Sequence, residues 1–382
     1  MFSLLENIKG ENMKKSIKRT IASILLIISI LLIQSNQVQS NNFIEFQGTS
    51  CTNFSSRYGD TVLFGNSEDA SGDHPLMEGP EQSYIFVYPN SSAGYGCVFL
   101  GWYWQEIYVS VQGGMNEHGL CYDSTAVPDM TMNAHPERPY KMGEDWLSGK
   151  ILRECSNVGE AIEIVNNFEF ESLWFQLFLT DANGDSVILS PGVSGEIEVT
   201  ELIDENGYLA QTNFNRVCPE SYYGKYPCPR YEDTLKLLST IESENNITVD
   251  FFEEILDAVH IEKIGGYTAY SNICDPKNKM MYMNFASQFN EMVSINITEE
   301  LSKGERGIKL TTLFSEETVE NGVDLYMKYK KLYNTTITLV SIGSVLILAT
   351  LCSGVIILIR RKKKNTTSLL KTKEKIYQRK FI

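Results

Sequence analysis

An uncharged apolar run at residues 337–359, followed at once by Arg360, Arg361, Lys362, Lys363 and Lys364, sets the first boundary on what this chain can fold into. As a helix at roughly 1.5 Å rise per residue it would be about 35 Å long, enough to cross a bilayer. A buried core helix of that length is rarely followed by five successive cations, and the positive-inside rule assigns the cationic end to the cytoplasm. A shorter apolar run at 21–33 follows Lys14, Lys15, Lys18 and Arg19, and Val38-Gln39-Ser40 supplies a small-residue cleavage site. That is the three-part layout of a secretory signal. Together these segments predict a single-pass cell-membrane protein: signal 1–40, a folded portion outside the cytoplasm, a polar stalk at 315–336, a span at 337–359 and a basic tail at 360–382.

Charge follows the same division. The net charge is -15, yet the tail has ten Lys and Arg against one Glu and the first forty residues five against two, so the intervening portion carries about -27. Such an excess argues against nucleic acid as a partner. The tail is accounted for by topology and anionic lipid. Of eight cysteines, Cys352 lies in the expected span. Setting aside Cys51, the remaining Cys97, Cys121, Cys155, Cys218, Cys228 and Cys274 permit three disulfides in an exported chain, with Cys218–Cys228 the pair closing a short loop. Sequons at Asn53, Asn90, Asn246, Asn296 and Asn334 mark expected surface.

Periodicity predicts a hairpin from 51–56 and 61–65 around Tyr58-Gly59-Asp60, then strands at 84–88, 96–104, 107–112 and 120–127. Helices are expected at 142–153 and 158–167, strands at 175–180, 186–190 and across 196–214. Further helices follow at 231–241 and 249–260, the second capped by Thr248, and a last hairpin joins 267–273 to 279–285. Runs of hairpins alternating with runs of helices argue for antiparallel sheets covered by helices, an α+β class. No internal repeat or low-complexity block is present.

Several signatures are missing: G-x-S-x-G, H-E-x-x-H, C-x-x-C and the P-loop. With four histidines, a histidine triad or zinc site has few candidates. His118 falls in a predicted turn and His260 at a helix end, where solvated or capping roles suffice. What remains is Cys51-Thr52-Asn53-Phe54, a hairpin, then Gly65-Asn66-Ser67-Glu68-Asp69, followed in order by Gly114-Met115-Asn116-Glu117-His118-Gly119-Leu120, Thr212-Asn213-Phe214 and Arg230-Tyr231. From Cys51 to about Phe289 the chain resembles the cysteine N-terminal-nucleophile (Ntn) hydrolases of linear amides, the group with penicillin V acylase, bile salt hydrolase, acid ceramidase and N-acylethanolamine acid amidase.

The resemblance implies a four-layer αββα sandwich over 51–314, a short propeptide at 41–50, no metal or organic cofactor, and a small N-acyl amide or short peptide as substrate. It assigns the nucleophile to Cys51, with its own α-amine as base once the Ser50–Cys51 bond is cut. Asp69 would hold that amine, Asn213 would donate to the oxyanion, and Arg230 would favour the thiolate. Asn66, Asn116 and Glu117 are further substrate-contact candidates. The chemistry has a clear rationale: amides resist attack, and an α-amine with a reference pKa of roughly 7.7 to 8 can serve as base without histidine. One departure stands out, because Asn66 and Ser67 occupy the positions of the family's Arg and Asn. Secreted dipeptidases of the same superfamily carry a similar Asn-Glu-Asp segment, so dipeptide hydrolysis stays open. Acyl transfer and a non-catalytic receptor or adhesion ectodomain stay open beside it. The run Trp102-Tyr103-Trp104 with Phe99 reads first as a core strand and second as an acyl pocket.

Overall fold

The computed structural model describes residues 51–71, 75–104, 108–139, 144–204, 207–219 and 228–379; the expected signal and propeptide lie outside these. In chain order the strands are β1 (Thr52–Tyr58), β2 (Thr61–Ser71), β3 (Tyr84–Tyr88), β4 (Cys97–Trp104), β5 (Tyr108–Asn116), β6 (Cys121–Thr131), β7 (Ser172–Thr180), β8 (Ser186–Pro191), β9 (Ile197–Glu201), β10 (Gly207–Gln211), β11 (Glu262–Lys263), β12 (Gly266–Asp275), β13 (Met280–Phe285), β14 (Gln288–Asn296) and β15 (Arg306–Lys309). The helices are α1 (Glu144–Glu154), α2 (Val158–Asn166), α3 (Pro229–Leu238), α4 (Val249–Val259), α5 (Ile297–Ser302) and α6 (Glu316–Arg379).

The strands form two antiparallel sheets, ordered β10-β1-β2-β12-β13-β14 with β11 paired to β12, and β15-β3-β4-β5-β6-β7-β8-β9. Side chains alternate across each strand, and here neighbours go to different cores. Phe64, Tyr270 and Met281 of the first sheet meet Ile85, Leu100, Phe178 and Ile188 of the second. On its other side the first sheet buries Phe54, Leu63 and Ile273 against Leu238 of α3 and Phe252, Ile255 and Leu256 of α4. The second sheet does the same with Phe99, Tyr122 and Leu177 against Leu147 and Ile151 of α1 and Ala161 and Val165 of α2. Gly65 lets the Phe54 ring lie flat on β2, since a Cβ there would come within 2.6 Å of that ring.

Most expected elements are present, and Thr248 caps α4 by accepting from the Phe251 backbone N–H. His260 sits at the C-terminal end of that helix. The strand expected across 196–214 is two strands, β9 and β10, at the edges of different sheets; alternation encodes faces, not which sheet a strand joins. The expected stalk begins a helix whose first turns belong to the body. Thr318 and Tyr326 are buried, Tyr326 packs on Tyr267 at 5.1 Å, and its hydroxyl donates to the Met77 carbonyl. Thr318 and Tyr326 lie on the buried side of the first turns of a helix whose other positions there are largely polar or charged, so composition masked them.

The expected disulfides are not formed: all cysteines are free thiols, including Cys218 and Cys228. Cys97 and Cys155 fill the core under α1, while Cys121 and Cys274 meet between the sheets, so these thiols serve as small buried hydrophobes. The Asn53 sequon is likewise a correction, since Asn53 is fully buried in β1. Trp102 packs between the sheets, whereas Tyr103 is 41 % exposed against the edges of Tyr84 and Phe86.

Among the described residues, those up to Lys331 belong to one compact unit and those from Leu332 onward to a second. The second unit, as far as described, is the remainder of α6. Its apolar part has mean hydropathy 2.6 over an 18-residue window, none of it buried, which by length and composition suffices to cross a membrane.

Removing the Tyr326 ring should leave a void between α6 and Tyr267. Tyr326→Ala is expected to destabilise the body by about 3 kcal/mol, read as a lowered urea midpoint of the detergent-solubilised chain. An unchanged midpoint would mean the first turns of α6 do not contribute to folding.

Candidate active site

The site is built on the β1–β2 hairpin, whose register pairs Thr52 with Ser67 and Asn53 with Asn66. Alternation then points Cys51, Asn53 and Ser55 toward the second sheet, where Asn53 Nδ2 donates to Asp123 Oδ1 at 3.3 Å and Ser55 Oγ donates to Ser186 Oγ at 2.9 Å. On β2 the same rule points Asn66 and Glu68 to that inner side and Ser67 and Asp69 to the helix side. Cys51 is fully buried, and its Sγ donates to Glu68 Oε2 at 3.3 Å.

Arg230 enters from the first turn of α3, positioned by Pro229 at the helix start. Its Nη1 donates to the Cys51 carbonyl at 2.8 Å and to Thr52 Oγ1 at 2.6 Å, and its Nη2 donates to Asn213 Oδ1 at 2.9 Å. The same guanidinium lies 3.5 Å from Asp69 Oδ2. Asp69 Oδ1 accepts from Ser67 Oγ at 2.9 Å and from the Thr268 hydroxyl. Asn213 Nδ2 donates to the Ala126 carbonyl at 3.1 Å. Cys51, Asp69, Asn213 and Arg230 therefore converge, although Arg230 is 179 residues from Cys51.

The three weaker candidates lie otherwise. Asn66, expected as a substrate contact, is buried on the inner side, where its amide donates to Asn272 Oδ1 at 3.0 Å on β12. Asn116 clasps the end of α1 through the Leu152 and Cys155 carbonyls and the turn through the His118 and Leu120 N–H groups. Glu117 accepts from Asn90 Nδ2 and the Gly96 N–H. Both are turn-holding residues whose bonds go to local structure and not to the groups around Cys51.

Sequence reasoning missed Glu68, Asp123, Thr268 and Tyr270. Glu68 had a signal: with a two-residue turn at Gly59-Asp60, pairing carried to the hairpin's open end puts it opposite Cys51. The other three come from β6 and β12, and nothing local announces them.

Burial pushes the Cys51 thiol well above its usual range, and the carboxylates of Glu68, Asp69 and Asp123 add to it, against the Asp69 backbone N–H. Burial also raises Asp69 to about 7, opposed by Arg230, Thr268 and Ser67. Tyr270 is raised by burial and then by Glu68, Asp123 and Cys51. The nucleophile candidate thus rests as a neutral thiol among acids, next to a carboxyl group able to exchange a proton near neutral pH.

No family model matches the sequence, and no curated protein matches it. Solved structures share the fold. Penicillin V acylase from Agrobacterium tumefaciens matches at TM-score 0.52 and 18% identity, over 68% of this chain and 92% of that one. A conjugated bile acid hydrolase from Clostridium perfringens, in two single-residue variants, matches at TM-score 0.52 with 15% and 16% identity, over 69% of this chain and 98% of that one. The resemblance to the cysteine Ntn hydrolases is therefore one of fold as well as motif order.

The raised Asp69 pKa has a consequence for stability. The folded state holds this proton more tightly than the unfolded chain, so the contribution is full below about pH 4 and is lost as pH rises through about 7, some 4 kcal/mol in all. Asp69→Asn is expected to remove that slope. Urea midpoints at pH 4, 5.5 and 7.5 on both proteins check it, and parallel profiles would refute it.

Proposed function

We propose that this chain is a membrane-anchored, outward-facing hydrolase of linear amide C–N bonds, acting through Cys51 as an N-terminal nucleophile. The observation that carries the reading is the convergence of Cys51, Asp69, Asn213 and Arg230 at the open end of one hairpin. A binding module has no need of that set. The fold shared with penicillin V acylase and the bile acid hydrolase supports it. Helices on the outer side of each sheet support a four-layer αββα arrangement.

In this mechanism the freed α-amine of Cys51 takes the thiol proton as sulfur attacks the substrate carbonyl, and returns it to the leaving amine. Asp69 holds the amine. Arg230 fixes the Cys51 carbonyl and, by gripping Asn213 Oδ1, orients the Asn213 amide as oxyanion donor. One Asn213 N–H goes to Ala126, so the role requires the other to face the oxyanion. The acyl-thioester is then hydrolysed by water. The signal, the span and the basic tail together favour a catalytic unit outside the cytoplasm and a tail against anionic lipid.

One observation favours a second reading. Among the described residues, Glu68, Asp69 and Asp123 all lie close enough to the thiol to act on its charge, which suits short peptides with a free, cationic amino terminus as well as neutral N-acyl amides.

Intact mass of wild type and Cys51→Ala tests the reading. Wild type should begin at Cys51 and release amine from an N-acyl amide panel, while Cys51→Ala should keep the residues before it and release none. Fully active protein beginning upstream of Cys51 would sink the proposal, and activity on dipeptides alone would select the second reading. In the processed enzyme, Asn213→Ala should lower kcat about 10²- to 10³-fold with a smaller change in KM. Equal kcat would remove Asn213 from the oxyanion role.

A further inference from the structure

The two acids that end the motif, Glu68 and Asp69, are adjacent in sequence and opposite in direction. Asp69 faces the helix side, where Ser67, Thr268 and Arg230 engage it. Glu68 faces the inner side, fully buried, with Oε2 accepting from the Cys51 thiol at 3.3 Å. Other groups near the sulfur are placed differently. Asp123 Oδ1 accepts from Asn53 Nδ2 and, at 2.7 Å, from the Ser124 N–H. Tyr270 pairs with Glu68 across β12 and β2, and burial and the surrounding carboxylates keep its phenol protonated. His118 packs on Tyr95, His135 bonds Glu137 and Glu196, and His260 ends α4. Among the described residues, Glu68 is the side-chain acceptor that the Cys51 thiol reaches.

This matters because the proposed hydrolase lacks its base at one moment. Until the Ser50–Cys51 bond is cut, the Cys51 nitrogen is an amide and cannot accept a proton, so the α-amine cannot start the reaction that frees it. Resting on the hydrolase reading, we propose that Glu68 is the general base of self-cleavage, a step distinct from substrate turnover. Glu68 Oε2 takes the Sγ proton as sulfur bonds to the Ser50 carbonyl carbon. As the C–N bond of the tetrahedral adduct breaks, the same proton passes to the departing Cys51 nitrogen. The result is a Ser50–Sγ thioester and a free α-amine. Water then adds to the thioester, the C–S bond breaks, Ser50 leaves as a carboxylic acid and the thiol is restored, with no change of oxidation state. Two neighbouring carboxyl groups thereby divide the labour: Glu68 serves the sulfur before cleavage, Asp69 the nitrogen after it.

The test uses the full-length membrane protein and follows self-cleavage by intact mass over time. Glu68→Gln and Glu68→Ala should slow it at least about 100-fold, the lower end of what a positioned base contributes. Sodium formate, a carboxylate small enough for the space left by the missing side chain, should speed cleavage of Glu68→Ala in proportion to its concentration, and sodium chloride should not. In a parallel chain with residues 41–50 replaced by a protease site ending at Cys51, protease-treated Glu68→Gln should show measurable turnover, which establishes that the variant is folded. Wild-type cleavage rates in both variants would overturn the assignment, as would slow cleavage that formate leaves unchanged. Wild type that never self-cleaves, yet hydrolyses amides after protease exposure of Cys51, would overturn it while leaving the hydrolase reading intact.

Discussion

The Arg230 guanidinium is the tie on which the site depends. It reaches from the first turn of α3 to the carbonyl of Cys51, the hydroxyl of Thr52, the amide of Asn213 and the carboxylate of Asp69. These four groups come from three separate stretches of chain, and a planar fork with five donors can hold them at fixed angles where a lysine could not. Without it, the Cys51 carbonyl and the Asn213 amide would be free to turn, and Asp69 would lose its cationic partner.

Among the described residues, the Arg230 charge is outnumbered by the acids near it. Glu68 and Asp123 on the inner side of the sheet and Asp69 on its helix side all lie near the buried thiol; burial is the first cause that raises Cys51 and Asp69, and neighbouring carboxylates add to it. Buried acids of this kind cost stability unless hydrogen bonds offset the lost hydration. Ser67, Thr268, Asn53 and the Ser124 N–H provide part of that offset. The remaining cost falls around the Cys51 thiol, and a candidate active site is a usual place for a fold to give up stability.

The scaffold packs the hairpin on both faces. Phe54 and Leu63 lock its helix side against α4, and Phe64 locks its inner side between the sheets. The first turns of α6 close the same body at Tyr267 and Phe285, with Gly322 tight enough that a Cβ would lie 2.7 Å from Ala286. The residues expected to form a polar stalk are helical from Glu316 onward.

From the sequence alone came the apolar run with its cationic flank, the hairpin and helix alternation, and the ordered motif that names Cys51, Asp69, Asn213 and Arg230. These are legible because hydrophobic length, strand and helix periods and turn chemistry are local properties of consecutive residues. Three things were decided only by the tertiary structure. Asn116 and Glu117 hold a turn, because their partners are the end of α1 and the loop at Asn90 and Gly96. Cys97, Cys121, Cys155 and Cys274 are packing residues, because the folding of the two sheets and their helices buries each of them in an apolar core. Glu68 meets the sulfur and Asp69 meets the guanidinium, because adjacent residues on a strand face opposite sides, and only the packing of sheet on sheet and helix on sheet determines what waits on each side.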